Sequence, residues 1–258
     1  MLSRILSKLG YVKRTEFLKE NFILPKDKIT YSNDLLYTYH NADFLDDPHF
    51  KESYQLGKDT DKETLLKNYD IQWRIHVLCW AANHAMKLDG DFVDCGVHTG
   101  IFARAIINYV SFEKCDKKYY LLDTFEGLDA KYSSSKELLR NSQMGYDKDD
   151  SNMLFTDVQE TFKPFKTKII KGSIPETLAQ VDTEKVSFLS IDMNCVYPEI
   201  CALNFFWDKI VSGGLIVLDD YGYNNEHNDQ KKAHDAFAKT KNIEILTLPT
   251  CQGLIIKP

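Results

Sequence analysis

The chain has 258 residues, 43% of them hydrophobic, and a formal net charge of −6, with a mean hydropathy of −0.36. That length supports a full hydrophobic core, the acidic balance excludes nucleic acid as the main partner, and no apolar run reaches the ~20 residues of a membrane helix. Six cysteines (Cys79, Cys95, Cys115, Cys195, Cys201, Cys251) are scattered without a Cys-x-x-Cys pair, which predicts reduced, mostly buried thiols in a cytoplasmic protein and argues against zinc.

Leu2, Ile5, Leu6 and Leu9 recur at helical spacing, and residues 1–20 hold five basic side chains against two acidic. This basic amphipathic arm lacks the unbroken apolar core of a signal peptide. Such a helix can lie on a membrane surface, but its apolar face better suits packing on its own domain or on a second subunit, as in a homodimer. Pro25 and the turn-prone Tyr31–Asp34 close the arm. Residues 35–60 carry spaced aromatics such as Phe44 and Phe50, a pattern that suits either a cap over a site or a surface loop pinned by its rings. Residues 1–60 therefore read as arm and cap, and 61–258 as the main domain.

From about Lys62 to Lys87, apolar residues three and four apart predict one long helix, stopped by Asp89-Gly90. Short strands are then expected at 91–94, 119–123, 168–171, 186–192 and 215–219, with helices at 101–110, 174–180, 198–210 and 229–241. Alternation of this kind predicts a mainly parallel sheet covered by helices on both faces. The runs 243–248 and 254–257, joined by a turn containing Pro249 and Gly253, predict a closing antiparallel pair.

Asp94, Gly96 and Gly100 form an Asp-x-Gly-x-x-x-Gly turn between the first of these strands and its helix. Glycine allows a sharp turn and close approach of a ligand, and the helix start offers free N–H groups. Asp94, Asp123, Asp192 and the pair Asp219-Asp220 each close a strand. The carboxyl edge of an open α/β sheet is where ligands bind, although Asp in such a place also serves as a helix cap.

Five segments occur in order: Gly90-Asp-Phe-Val-Asp-Cys-Gly-Val97, Leu122-Asp-Thr-Phe-Glu-Gly-Leu128, Lys171-Gly-Ser-Ile-Pro-Glu-Thr-Leu178, Leu189-Ser-Ile-Asp192 and Gly213-Gly-Leu-Ile-Val-Leu-Asp-Asp-Tyr221. In these the chain resembles the macrocin O-methyltransferase (TylF-type) family of class I S-adenosylmethionine (SAM) methyltransferases. The resemblance implies a Rossmann-like α/β sheet of seven strands, the last antiparallel, with an N-terminal helical cap or arm. It implies that Asp94, Gly96, Val97, His98, Thr99 and Gly100 hold the amino-acid end of SAM. Asp123 would take the ribose hydroxyls, Thr124 and Phe125 would wall the cofactor, Gly172 and Ser173 would flank the adenine, and Asp192 would also belong to the cofactor site. It further implies magnesium on Asp192, Asp219 and Asp220, a carboxylate set that suits a hard divalent cation. One departure stands out: relatives often carry a second acid where this chain has Asn194, and the site thereby loses a charge.

Methyl transfer needs an acceptor placed in line with the sulfonium and a group to take its proton. His98, His227 and Asp192 are the candidates. The polar stretch from Gly127 to Asn152 suits a lid over SAM and a small-molecule acceptor, such as a sugar, a sugar-bearing natural product or a surface-glycan precursor. N-methylation without metal and a non-catalytic SAM-binding scaffold remain open alternatives here. An NAD oxidoreductase is disfavoured by the glycine spacing and the terminal hairpin.

Overall fold

The five apolar runs expected as parallel strands are parallel strands, and they are adjacent in one sheet. This computed structural model describes residues 29–62, 69–144, 151–224 and 228–258. The expected amphipathic arm, and any dimer made through it, lie outside the described residues, as does His227. The chain divides into two compact units, Met1–Ala42 and Asp43–Pro258.

In the first unit, β1 (Tyr31–Asn33) and β2 (Leu36–Thr38) form an antiparallel hairpin. Asp34 and Leu35 between them have φ of 49° and 58°, the backbone a two-residue hairpin turn needs.

The second unit begins with α1 (Pro48–Lys58), whose N-terminus is capped by the Asp47 side chain accepting from the His49 amide. Residues 43–60, grouped from sequence with the arm, belong to this unit: Phe50 packs with Ile71, Ile75, Cys79, Ile101 and Ala105. The next described helix, α2 (Gln72–Ala85), begins inside the span 62–87 expected as one helix, of which 63–68 lie outside the described residues. Ile71 leaves helical geometry (φ −119°, ψ 31°), and Tyr69 stands exposed although it fits the apolar repeat; periodicity ran on past a real helix boundary.

Seven strands follow: β3 (Asp91–Cys95), β4 (Tyr119–Asp123), β5 (Thr167–Lys171), β6 (Val186–Ile191), β7 (Ile210–Leu218), β8 (Leu246–Thr247) and β9 (Gly253–Ile256). Their order is β5-β4-β3-β6-β7-β9-β8. The first five run parallel, and β9 is antiparallel to both its neighbours. Alternate residues of each strand feed opposite faces: Val93, Tyr120, Leu189 and Ile216 pack on one side, Phe92, Leu121, Phe188 and Val217 on the other.

The helices α3 (Ile101–Tyr109), α6 (Val196–Phe206) and α7 (Asp229–Lys241) lie close to the expected positions. The helix expected at 174–180 is only a short 3-10 turn, Leu178–Gln180. The polar stretch read as a lid contains α4 (Ser135–Met144) and leads into α5 (Ser151–Phe162). The inner face of α5 supplies Val158 and Phe162 to the core.

Candidate active site

Chain order reverses at β3, which pairs with β4 on one side and β6 on the other. A crevice opens at such a point, beyond the carboxyl ends of the strands. Backbone hydrogen bonds bring those ends into one row. Gly172 donates to the Asp123 carbonyl, Gly96 to Leu122, Asp192 to Cys95 and Asp219 to Ile191, at 2.8–2.9 Å. Acids far apart in sequence thus become neighbours.

The turn from Gly96 to Gly100 requires its glycines. Gly96, His98 and Gly100 all have positive φ (96°, 50° and 93°). A Cβ on Gly96 would overlap the Asp192 carbonyl, and one on Gly100 would strike the Phe162 ring. The turn is fastened by Asp123, whose Oδ2 accepts from the amides of Val97 at 2.7 Å and His98 at 2.8 Å. Asp123 Oδ1 accepts from the Phe125 amide at 2.6 Å. The acid expected to hold a ribose holds the loop, and amides take both lone pairs of Oδ2. Oδ1, which accepts from the Phe125 amide and lies 3.4 Å from the Thr124 hydroxyl, is the oxygen with acceptor capacity left for a ligand.

Below the turn, Asp94 is 1% exposed. Burial pushes its carboxyl up to about 8, with the charges of Asp123 and Asp219 adding and the Ser190 hydroxyl opposing. Among the described residues its Oδ1 has no hydrogen-bond partner. A buried orphan acceptor is costly unless a ligand supplies a donor. The ammonium of an amino acid is such a donor, so these residues fit the methionine end of SAM.

The remaining expected cofactor residues are placed more variously. Thr99 is buried. The Thr124 hydroxyl closes a turn on the Gly127 carbonyl at 2.6 Å. Phe125 is turned into the core against Phe155, so its amide is what it brings to the site. Gly172 has φ 136°, and Ser173 donates to Asp129 Oδ2 at 2.5 Å.

Asp192, Asp219 and Asp220 lie near enough to feel one another's charge. Burial and the charges of Asp219 and Asp220 hold the Asp192 carboxyl well above the usual range. Asp220 is pushed up to about 6, mainly by burial and by Asp219. A cation already stands among them. Arg74 of α2 places Nη1 2.5 Å from Asp219 Oδ2 and 3.4 Å from Asp220 Oδ1. The other oxygen of Asp219 accepts from Gln252 Nε2 at 3.0 Å. Among the described residues no group of three or more His, Cys, Asp or Glu side chains is arranged to hold a metal ion. The residues present do not fit the magnesium implied from sequence.

Sequence reasoning missed Arg74, Arg140 and Glu199. Arg140 Nη2 donates to Asn194 O (2.9 Å), Asn194 Oδ1 (3.1 Å) and Gln230 Oε1 (3.1 Å). Glu199, 2% exposed, accepts from the Met193 amide at 3.2 Å and from Gln230 at 2.9 Å, with His234 Nε2 3.1 Å from its second oxygen. The available signal was a charge within an apolar helical stretch, Trp73-Arg74-Ile75 and Pro198-Glu199-Ile200, since buried charges must be paired.

A seven-stranded sheet of this order, with a glycine turn at its switch point and an acid ending the adjoining strand, defines a class I methyltransferase. The family described as macrocin-O-methyltransferase (TylF) matches residues 73–247. The chain belongs to that family and is a SAM-dependent O-methyltransferase. Among solved structures it is similar to the O-methyltransferase NovP (16% identity, 81% of this chain and 97% of that one, TM-score 0.62). It is also similar to the calicheamicin methyltransferase CalS11 (13%, 81% and 93%, 0.58), whose apo form is described as a TDP-rhamnose 3'-O-methyltransferase (14%, 81% and 92%, 0.51). A third is the Podospora anserina methyltransferase PaMTH1, bound to S-adenosylhomocysteine (SAH) (14%, 82% and 88%, 0.50). At these identities the likeness concerns the fold. No match was found among curated proteins. Among the described residues no helix is long and apolar enough to cross a membrane.

Proposed function

We propose that this enzyme methylates a hydroxyl of a small polar metabolite in the cytoplasm, the acceptor being a sugar, a sugar-bearing natural product or a surface-glycan precursor. The observation that carries the reading is the glycine turn fastened to Asp123 above the orphan oxygen of Asp94, in a chain of the TylF family. The sugar class is supported by what CalS11 is described as acting on.

Bound SAM supplies an electrophilic methyl group on a sulfonium and leaves as SAH. The chain's residues do the rest. Asp94 and the amides of the turn hold the amino-acid end, and Asp123 takes the ribose hydroxyls. Gly172 and Ser173 border the adenine. Asp192, between the cofactor turn and the ends of β6 and β7, accepts the proton that the acceptor hydroxyl loses as its oxygen bonds the methyl carbon. His98, whose backbone is fixed in the turn, lines the cofactor. Magnesium has no part in this reading, because Arg74 already takes Asp219 and Asp220. The described part of the polar stretch, 127–144, covers the acceptor.

The test is calorimetry with SAH, followed by methyl transfer from labelled SAM to nucleotide sugars and free glycosides. Nanomolar-to-micromolar SAH binding and a labelled, base-stable ether on a sugar hydroxyl are expected. Absence of SAH binding, or label found only on nitrogen, overturns the reading. Asp192→Asn should keep SAH binding while losing transfer.

A further inference from the structure

The acids that end β6 and β7 lie where the sequence pattern calls for a divalent cation, yet the protein brings its own cation there. Arg74, Asp219 and Asp220 have side chains only 10%, 6% and 13% exposed. The Arg74–Asp219 contact of 2.5 Å is a buried, charge-assisted hydrogen bond, the strong kind. Gln252, 0% exposed, closes the opposite side of Asp219, and its own Oε1 accepts from the Thr250 hydroxyl at 2.9 Å. Both Asp219 oxygens are thus met by side chains from two separate elements, α2 and the turn before β9. The charge missing at Asn194 fits the same picture, since that side chain turns its oxygen to Arg140 and its nitrogen toward Asp192 Oδ1 at 3.4 Å.

We propose that Arg74 is the resident cation of this acidic cluster, a positioning residue that stands in for a divalent metal and makes methyl transfer independent of one. A magnesium ion on Asp219 and Asp220 would have to displace the guanidinium or lie against it, two positive centres in a site from which water is largely excluded. Guanidinium suits the substitution, because it stays charged at every accessible pH and its planar fork reaches two carboxylates at once. With Arg74 on Asp219 and Asp220, Asp192 is left as the acid assigned above to the acceptor's proton. This inference rests on the O-methyl transfer reading above, but its test is separate.

The experiment titrates MgCl2, and MnCl2 with paramagnetic detection, into the full chain saturated with SAH. The wild type is expected to show no saturable site at millimolar cation and to keep its transfer rate in EDTA. Arg74→Met, which uncovers the carboxylates while preserving bulk, is expected to gain a Mn2+ site. Where that variant folds poorly, the pair Arg74→Met with Asp219→Asn, which removes both charges, is expected to melt higher than Arg74→Met alone. The inference is overturned by a wild-type Mg2+ site that Asp219→Asn removes, by loss of transfer in EDTA, by no gain of Mn2+ binding in a folded Arg74→Met, or by a double variant no more stable than the single. Failure of SAH binding would instead strike the functional reading.

Discussion

The amide of Val97 donates to Asp123 Oδ2 at 2.7 Å, so the glycine turn after β3 is tied to the acid that ends β4. One carboxylate therefore shapes the loop and, in the function proposed above, offers a ligand the acceptor capacity that Oδ1 retains. Removing it should damage both. Asp123→Ala loses charge-assisted bonds worth ~1.5–3 kcal/mol each, and SAH affinity is expected to fall about 10–100-fold with a lower melting temperature. Calorimetry and thermal melts measure the two effects, and unchanged SAH affinity would remove Asp123 from the cofactor site.

Asp94 makes stability depend on pH in a direction that can be worked out. Its carboxyl stands at about 8 in the folded protein against an ordinary value of 3.8. Between those values the folded state holds a proton that the unfolded state has released. Its contribution is complete below the lower value and is lost as pH rises toward the upper one. Asp94→Asn cannot release that proton, so its advantage over the wild type in thermal melts should grow from pH 4 to pH 8 and then level off. A constant difference would show that Asp94 is ionised in the fold. In the wild type an incoming ammonium favours the carboxylate, so SAH binding near pH 7 should release close to one proton, read as buffer-dependent heat. Asp94→Asn should abolish that dependence.

Gly96 is the position where backbone geometry is least forgiving. Its φ of 96° strains any other residue by ~1–3 kcal/mol, and the added Cβ would overlap the Asp192 carbonyl. Gly96→Ala is expected to lose SAH binding altogether and to melt well below the wild type. Gly222 is the control: an added Cβ there lies 3.4 Å from the Cys251 carbonyl, and Gly222→Ala should melt within a few degrees of the parent. Equal tolerance at both positions would refute the geometric argument.

How far the fold could be read from the sequence follows from how locally each element is specified. The buried parallel strands are short continuous apolar runs between breakers, and β3, β4 and β6 end within a residue of where the sequence places them. The start of α2 was missed because Tyr69 continues an apolar repeat that the backbone does not follow. α4 was missed because its composition is polar: Ser135-Lys-Glu-Leu-Leu-Arg-Asn-Ser142 reads as loop, and what makes it helix includes a capping box. The Ser134 hydroxyl caps the Glu137 amide at 3.3 Å, and Glu137 Oε2 accepts from the Ser134 amide at 2.7 Å. At the site, the acids were legible because each closes a strand. Their partners were not, because Arg74 is 145 residues from Asp219 in sequence and no local pattern links them.

That polar helix sets the last prediction. Arg140 ties α4 to the loop after β6 through Asn194 and to α7 through Gln230, and Glu137 Oε1 accepts from the Val196 amide at 2.8 Å. If α4 covers the acceptor, Arg140→Ala should raise the acceptor KM about tenfold, the worth of one or two such bonds. SAH affinity should stay close to the parent value, and proteolytic cleavage across 129–144 should quicken. Asn194→Asp separates the latch from the chemistry: the new carboxylate still accepts from Arg140, but it sets a negative charge where the Asn194 amide lies 3.4 Å from Asp192 Oδ1. It should leave KM and proteolysis near the parent values and lower kcat instead. An Arg140→Ala variant that loses SAH affinity and acceptor affinity alike would mean that α4 supports the domain and does not cover the acceptor.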